Sequence, residues 1–306
     1  MGVGALRPSP SGRGMSIGVV GPRSVQAGLD ELRDWATDPT PRVGVGLAAV
    51  DGPTNGGMAR SEVMMVLAPS SVGKTSFALN ALVNNPDQPS LFFSLEMSWR
   101  MVASRLVALH TGIGTREQEN RLRAGAPLPE ASSAALHFRS LWCDDTPAQT
   151  FKGMSESMEL YVKRHEVPPR IVVIDYAELI GGVGALSGSD AIDKVSKKVR
   201  DWTRTWDCST ILLHQVGKGD SDGSEALSLT SGRFGGHAPM DYVIGLSAPR
   251  LERNIDARKF KEVKEHLAIQ VLKNRSGEAA PSPRLHRQDP VSLKISPMSF
   301  QLNGVN

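Results

Sequence analysis

One segment of the sequence has the residue types and the spacing that bind phosphate groups. It runs Ala68-Pro-Ser-Ser-Val-Gly-Lys-Thr75 and lies between an apolar run and an amphipathic pattern. In a strand–loop–helix context, backbone N–H groups point into a concave loop, and the positive end of the helix dipole favours anions. We expect Lys74 to reach the outer phosphates of a nucleotide and the Thr75 hydroxyl to ligate Mg²⁺. This predicted P-loop consists of Ala68, Pro69, Ser70, Ser71, Val72, Gly73, Lys74 and Thr75.

The first position of the P-loop departs from the general pattern, because Ala68 stands where most such loops have glycine. The alternative interpretation is a chance Gly-Lys-Thr sequence at a strand–helix turn, which would bind no nucleotide. The flanking segments favour the P-loop, because an apolar strand precedes it and a helical pattern follows it.

Two further apolar runs end in a carboxylate. Residues 171–174 are all aliphatic and lead into Asp175, and a second run leads into Glu96. Strands of this kind deliver their last residues to the carboxyl edge of an open α/β sheet, where ligands bind. We expect Asp175 to hold Mg²⁺ through a water molecule and Glu96 to act as general base on the attacking water. For Glu96, a helix-capping role is the alternative, because a helical pattern follows it.

The elements that must position these residues alternate along the chain between apolar strands and amphipathic helices. Such alternation predicts an α/β fold with a mostly parallel sheet that helices cover on both faces. Helical patterns start at Gly73, after Glu96 and at Asp190, which we interpret as an N-cap. One or two closing antiparallel strands are expected within residues 291–302. The predicted strands are residues 63–67, 91–95, 171–174, 211–213, 243–246 and 268–272.

Composition excludes several classes of protein. The 306 residues are 40% hydrophobic and 22% charged, with a net charge of +3 that neither requires nor excludes a nucleic-acid partner. The two cysteines, Cys143 and Cys208, form no CxxC pair, so neither a disulfide framework nor a zinc site is expected. The chain has neither a membrane-spanning apolar run nor a signal peptide. We therefore expect a cytoplasmic protein with no membrane partner.

Three segments in this order and spacing resemble the ATPase domain of the DnaB-type replicative helicases. They are the P-loop, Phe93-Ser-Leu-Glu-Met97 and Ile171-Val-Val-Ile-Asp-Tyr176. The Ser-Leu-Glu-Met signature is the most specific of them, and alanine at the first P-loop position is accepted in that family. The resemblance covers about residues 28–302. It implies a RecA-like fold, ATP and Mg²⁺ as cofactors, and a hexameric ring that unwinds DNA during replication.

The resemblance also implies roles for single residues. Lys74, Thr75, Glu96 and Asp175 match the family's P-loop pair, catalytic glutamate and metal-supporting aspartate. Arg105 resembles an arginine that helps to hold the nucleotide, and Gln215 resembles the glutamine that senses the γ-phosphate. Lys273 and Arg275 resemble the family's Lys-x-Arg, in which the arginine acts on the neighbouring subunit's nucleotide. Without the family context, Lys273 and Arg275 could equally lie in a solvated turn.

The expected partner is single-stranded DNA, bound by loops at the centre of the ring. Lys218 follows the predicted sensor glutamine, and Ser231, Gly232 and Arg233 resemble part of the family's strand-gripping loop. Small residues let a backbone approach phosphates, and the basic side chains neutralise them. Beyond the homo-oligomer itself, the resemblance implies a primase or a loader as further partners.

The sequence departs from the family in two places. The family carries an N-terminal helical domain, whereas we predict a flexible tail at residues 1–27, a linker-helix region at 28–41 and the RecA-like ATPase domain at 42–306; such a chain is typical of a phage or mobile-element version. Glu178 stands where the family commonly has glutamine, which makes it a rival acid near the metal. The alternative function is a RecA/RadA-like recombination or regulatory ATPase that binds DNA or protein without unwinding.

Overall fold

The computed structural model describes residues 22, 24–181, 188–216, 224–229, 235–249 and 266–298. The chain divides into two compact units, with the boundary between Pro41 and Arg42. In the first unit, the described part contains helix α1 (Val25–Thr37), which the Ser24 hydroxyl caps by accepting from the N–H of Ala27. This helix begins at Val25 rather than at residue 28, so it takes in the last residues of the segment predicted to be a tail.

The second unit contains a nine-stranded sheet among the residues described, with the order β3-β2-β4-β5-β1-β6-β7-β8-β9. Strands β1 to β6 pair in parallel, and β7, β8 and β9 continue the sheet in antiparallel pairs. The strands are β1 (Val63–Ala68), β2 (Ser90–Ser94), β3 (Leu141–Asp144), β4 (Ile171–Asp175), β5 (Ser209–Gln215), β6 (Tyr242–Ser247), β7 (His266–Asn274), β8 (Ala280–Gln288) and β9 (Ile295–Pro297).

Helices cover both faces of this sheet. Alternate residues of the central strand β1 enter different cores: Met64 and Val66 pack with Phe77 of α3, whereas Met65 and Leu67 pack with α7 and α8. None of the helices that the structure describes is long and apolar enough to cross a membrane. The helices of this unit are α2 (Ala48–Asp51), α3 (Lys74–Val83), α4 (Trp99–Thr111), α5 (Thr115–Arg123), α6 (Pro129–His137), α7 (Phe151–His165) and α8 (Gly188–Trp206), with a 3₁₀ turn at Ala177–Leu179.

The predicted α/β architecture, with antiparallel strands at the C-terminal end, is confirmed. The local structure differs from the sequence pattern at β8, at β3 and at the start of α8. Strand β8 occupies a proline-rich stretch whose composition is typical of a loop, and β3 was not predicted, because its residues are only half-buried. Asp190 lies in the first turn of α8 and does not cap it, since the helix begins at Gly188. Of the closing segment at residues 291–302, Ile295–Pro297 form β9, and residues 299–302 lie outside the described residues.

Candidate nucleotide site

The P-loop lies at the carboxyl end of β1, the fully buried strand in the middle of the nine-stranded sheet. Two of its residues have positive φ, Ser71 at 65° and Gly73 at 113°. Gly73 is the N-cap of α3, and its left-handed backbone conformation is one that glycine adopts at no steric cost. This alternation of backbone conformation turns successive N–H groups toward the inside of the loop, where an anion can lie.

The Lys74 side chain is folded back over its own loop. It is 8% exposed, and its ammonium group donates to the carbonyls of Ala68 at 3.0 Å and Pro69 at 3.1 Å. Burial lowers the pKa of Lys74, and three nearby carboxylates oppose that shift, led by that of Asp175. The ammonium is therefore held at the mouth of the loop, within the field of several acids.

Thr75 and Asp175 meet where α3 begins and β4 ends. The Thr75 hydroxyl donates to Asp175 Oδ2 at 2.7 Å, and the carboxyl group is 1% exposed. Its other oxygen, Oδ1, is buried and accepts no hydrogen bond from the described residues. Burial raises the pKa of Asp175 to about 6, Glu96 adds to the rise, and the hydrogen bond from Thr75 opposes it.

These two oxygen-bearing side chains fit a magnesium ion. An unpartnered carboxylate oxygen beside a hydroxyl offers the hard oxygen ligands that Mg²⁺ prefers. The described residues hold no cluster of three His, Cys, Asp or Glu side chains that could bind a metal alone. This agrees with Mg²⁺, which proteins hold through one or two side chains together with substrate phosphates.

Glu96 lies in the turn between β2 and α4, and it is exposed. The turn is fixed beside β4, because the N–H of Leu95 donates to the carbonyl of Asp175 at 2.8 Å. The first N–H of α4, on Trp99, donates to the Asp145 carboxylate at 2.7 Å. The acid that caps α4 is thus Asp145, which leaves the Glu96 carboxylate available to solvent and close enough to Asp175 to raise its pKa.

Arg105 and Gln215 approach the same site from other elements. Arg105 projects from α4 and opposes the rise in the pKa of Asp175. Gln215 ends β5 and pairs in register with Ala68, the first residue of the P-loop. These elements converge on one edge of the sheet, and they bring together most of the predicted catalytic and nucleotide-binding residues.

The profile of the family described as "DnaB-like helicase C terminal domain" matches residues 43–283, which include all of these residues. The chain belongs to this family. It is 29% identical over 173 residues to the replicative DNA helicase DnaB of Synechocystis sp., and 27% identical over 184 residues to that of Geobacillus stearothermophilus. These matches cover 53% and 56% of this chain but only 19% and 39% of the two relatives. The chain thus spans well under half the length of these relatives.

Solved structures support the same fold. One of them, described as an ATPase domain, superposes with a TM-score of 0.73 at 20% identity, covering 90% of this chain and 99% of that one. A DnaB-like replicative helicase, described with its interactions with primase, superposes with a TM-score of 0.70 at 19% identity, covering 91% of this chain and 68% of that one. The predicted resemblance to the DnaB-type ATPase domain, and with it the RecA-like fold, is confirmed.

In this DnaB-like domain, Lys273 and Arg275 do not join the P-loop. The Arg275 guanidinium donates to Asp241 at 2.9 Å, and Lys273 donates to backbone carbonyls of the segment before β6. Asp241 is hydrogen-bonded through its backbone N–H to Val63, the first residue of β1. The two basic residues therefore lie at the opposite end of β1 from the P-loop.

The residues that we predict to bind DNA in this DnaB-like domain lie outside the described residues. They are Lys218, Ser231, Gly232 and Arg233.

Sequence reasoning missed Gln288, at the end of β8. Its side chain lies against the P-loop, because a Cβ atom on Gly73 would lie only 2.8 Å from its Oε1. Asn80 of α3 fixes this hairpin by bonding the backbone of Leu293 and Ile295. No sequence signal marks Gln288, because its strand is rich in proline and arginine.

Proposed function

We propose that this chain is the motor part of a ring-shaped DNA helicase that hydrolyses ATP at subunit interfaces and translocates on single-stranded DNA during replication. The observation that carries the proposal is the contact of Thr75 with Asp175 beside the P-loop, with one Asp175 oxygen left unpartnered. That arrangement supports ATP with Mg²⁺ as the cofactors. Two buried or half-buried free thiols, Cys143 and Cys208, agree with the reducing cytoplasm as its compartment.

Within one subunit, each residue of the site has a role in binding or in proton transfer. The backbone of residues 69–73 and the Lys74 ammonium bind the outer phosphates, while Thr75 and Asp175 hold Mg²⁺. When bound there, Mg²⁺ would supply positive charge that neutralises the phosphates. Glu96 accepts a proton from the attacking water, and its exposed position at the mouth of the site supports that role.

The position of Arg275 supports hydrolysis at an interface between subunits. Strand β1 has six residues, and a strand rises about 3.3 Å per residue, so its two ends lie about 17 Å apart. One arginine side chain cannot cover that distance along the packed sheet to its own P-loop. We propose that Arg275 reaches the nucleotide of the next subunit, where its planar cation stabilises charge on the transferred phosphate, and that Lys273 assists it.

The remaining partners follow from exposed surfaces and from relatives. Helix α1 buries none of its residues, and its stripe of Leu29, Leu32 and Trp35 supports packing against a neighbouring subunit, in a hexameric ring. We assign DNA backbone contacts to Lys218, Ser231, Gly232 and Arg233, as small and basic residues that suit phosphates. One structural neighbour is described with primase, which supports a primase or a loader as a further partner.

The test measures steady-state ATP hydrolysis by the full chain with and without single-stranded DNA, followed by unwinding of a forked duplex. We expect hydrolysis to rise several-fold with DNA and the fork to be unwound. Hydrolysis stimulated by DNA without unwinding would instead indicate the recombination-type or regulatory ATPase. No stimulation together with no DNA binding at low salt would refute the motor. The Glu96→Gln variant serves as the control for turnover.

A further inference from the structure

Glu178 makes two hydrogen bonds to the end of β5. It lies in the 3₁₀ turn that follows Asp175, and its Oε1 accepts from the backbone N–H of Gln215 at 2.9 Å. The same oxygen lies 2.7 Å from His214 Nδ1, which donates to it when that nitrogen carries the proton. The His214 side chain is 8% exposed and that of Glu178 31%, so the imidazole backs the carboxylate from the protein side.

These hydrogen bonds lie at the end of β5, where β4 no longer pairs with it. Strand β4 pairs with β5 only as far as Ile174 and Leu212, so the last residues of β5 extend past it. On the other side, the N–H of Val216 still donates to the carbonyl of Ala68 in the P-loop. The Glu178 carboxylate therefore takes the place of the missing strand and satisfies the N–H of Gln215.

We propose that Glu178 is a positioning residue that fixes the main chain at Gln215 and so aims the Gln215 side chain at the terminal phosphate, with His214 holding the carboxylate in place. Through this link, the segment behind the metal-holding Asp175 and the strand end beside the P-loop move as one unit. The inference rests on the proposed role of Gln215 as sensor. It assigns Glu178 a role other than that of general base, because its Oε1 already accepts from the N–H of Gln215 and contacts His214 Nδ1.

This role makes a specific demand on side-chain chemistry. An amide oxygen in the place of the carboxylate still accepts from the N–H of Gln215, so glutamine preserves the bond and loses only the charge. Aspartate keeps the charge but is one methylene shorter, and it withdraws the acceptor from that N–H. A general base requires the opposite, since glutamine cannot take up a proton.

The experiment compares steady-state ATP hydrolysis, with single-stranded DNA, by the full chain and its E178Q, E178D, E178A and Q215A variants. We expect E178A and E178D to lower kcat about tenfold or more, the effect of losing a bond to a charged group, while KM for ATP stays within about twofold. E178Q should recover most of the kcat that E178A loses. E178A combined with Q215A should be no slower than the slower single variant, because both changes disable one unit.

Three results would overturn the inference: a loss of a hundredfold or more in E178Q, which would make Glu178 the base; full activity in E178D and E178A; or additive losses in the double variant. Thermal melting of each variant identifies misfolded protein, and E178Q with E178D decide the matter if E178A does not fold. A wild-type chain that binds but does not hydrolyse ATP would refute the proposed function itself. Active wild type with an unaffected E178A would refute only the positioning role.

Discussion

The Arg275 guanidinium lies 2.9 Å from the carboxylate of Asp241, at the end of β1 that is remote from the P-loop. Asp241 also accepts from the N–H of Val63 at 3.0 Å and lies 3.4 Å from the guanidinium of Arg200. One buried acid thus fixes the candidate interface arginine to the central strand. The consequences of this arrangement can be tested on the assembled protein.

The first prediction concerns complementation between inactive subunits. Arg275→Ala should lower the DNA-stimulated kcat by about a thousandfold, as loss of an arginine finger does in related phosphate chemistry. Lys74→Ala should be inactive as well. Mixed assemblies of R275A and K74A subunits should regain hydrolysis, because a K74A subunit supplies its Arg275 to the intact P-loop of a neighbouring R275A subunit. Arg284→Ala, an exposed arginine on β8, is the control and should hydrolyse ATP normally. Mixtures that stay inactive while still assembling would contradict action across the interface.

The second prediction concerns stability. Asp241 is 4% exposed and accepts hydrogen bonds from a backbone N–H and an arginine. Asp241→Ala leaves these donors without an acceptor, and we expect it to lower the free energy of unfolding by about 2 to 4 kcal/mol. Urea unfolding measures this directly. Asp201→Asn, at an exposed position on α8, should change it by less than about 0.5 kcal/mol. Equal stability of D241A and D201N would contradict the central place of Asp241.

The third prediction concerns pH. Asp175 binds its proton more tightly in the folded chain, with a pKa of about 6, than at the ordinary value of 3.8. Ionisation of this carboxyl group therefore destabilises the fold, and the stability it confers is lost as pH rises from about 4 to above 6. The change corresponds to roughly 3 kcal/mol. Urea unfolding at pH 4 and pH 7 in EDTA should show this loss in wild type but not in Asp175→Asn.

The exposed Asp87→Asn variant is the control for the effect of removing a surface charge and should retain the wild-type pH dependence. The same slope in D175N as in wild type would show that another group causes it. At pH 7, the D175N chain should also be the more stable of the two, although it cannot hold Mg²⁺ as the carboxylate does.

The fourth prediction distinguishes the effect of the Thr75 hydroxyl from that of its methyl group. Thr75→Ala removes an oxygen that lies 2.7 Å from Asp175 Oδ2, and we expect the half-saturating concentration of Mg²⁺ for hydrolysis to rise at least tenfold. Thr75→Ser keeps the hydroxyl and should need nearly the same Mg²⁺ as wild type. Titration of hydrolysis with Mg²⁺ at saturating ATP checks both. A T75S variant as impaired as T75A would assign the effect to the lost methyl group instead.

Burial decided which strands of the sheet could be predicted from the sequence. Strands β1 and β4 are buried on both faces and form unbroken apolar runs, so their acid and loop ends could be located in advance. Strands β3 and β8 carry half-buried and polar residues, which give neither an apolar run nor a clean alternation. Edge and antiparallel strands of this kind therefore could not be found from local pattern.

The same division applies to the site. Lys74, Thr75 and Asp175 could be found because each sits at a fixed offset from a strand or a helix start. The bond from Gln215 to Glu178 depends on how far β5 extends past β4, which is a matter of register and not of local sequence. The separation of Arg275 from the P-loop depends likewise on the pairing of β6 with β1 and β7, which no single segment encodes.

A final consequence follows from the placement of the P-loop and Arg275 at opposite ends of β1. If Arg275 acts on the next subunit, as proposed, each copy uses its P-loop at one end of β1 and its Arg275 at the other, so the contact between copies is head-to-tail and not twofold. An open row of such copies always leaves one Arg275 without a P-loop to act on and one P-loop without a neighbouring Arg275. Closing the row into a ring brings that last Arg275 to that last P-loop. The number of complete active sites therefore distinguishes a closed ring from one with a gap.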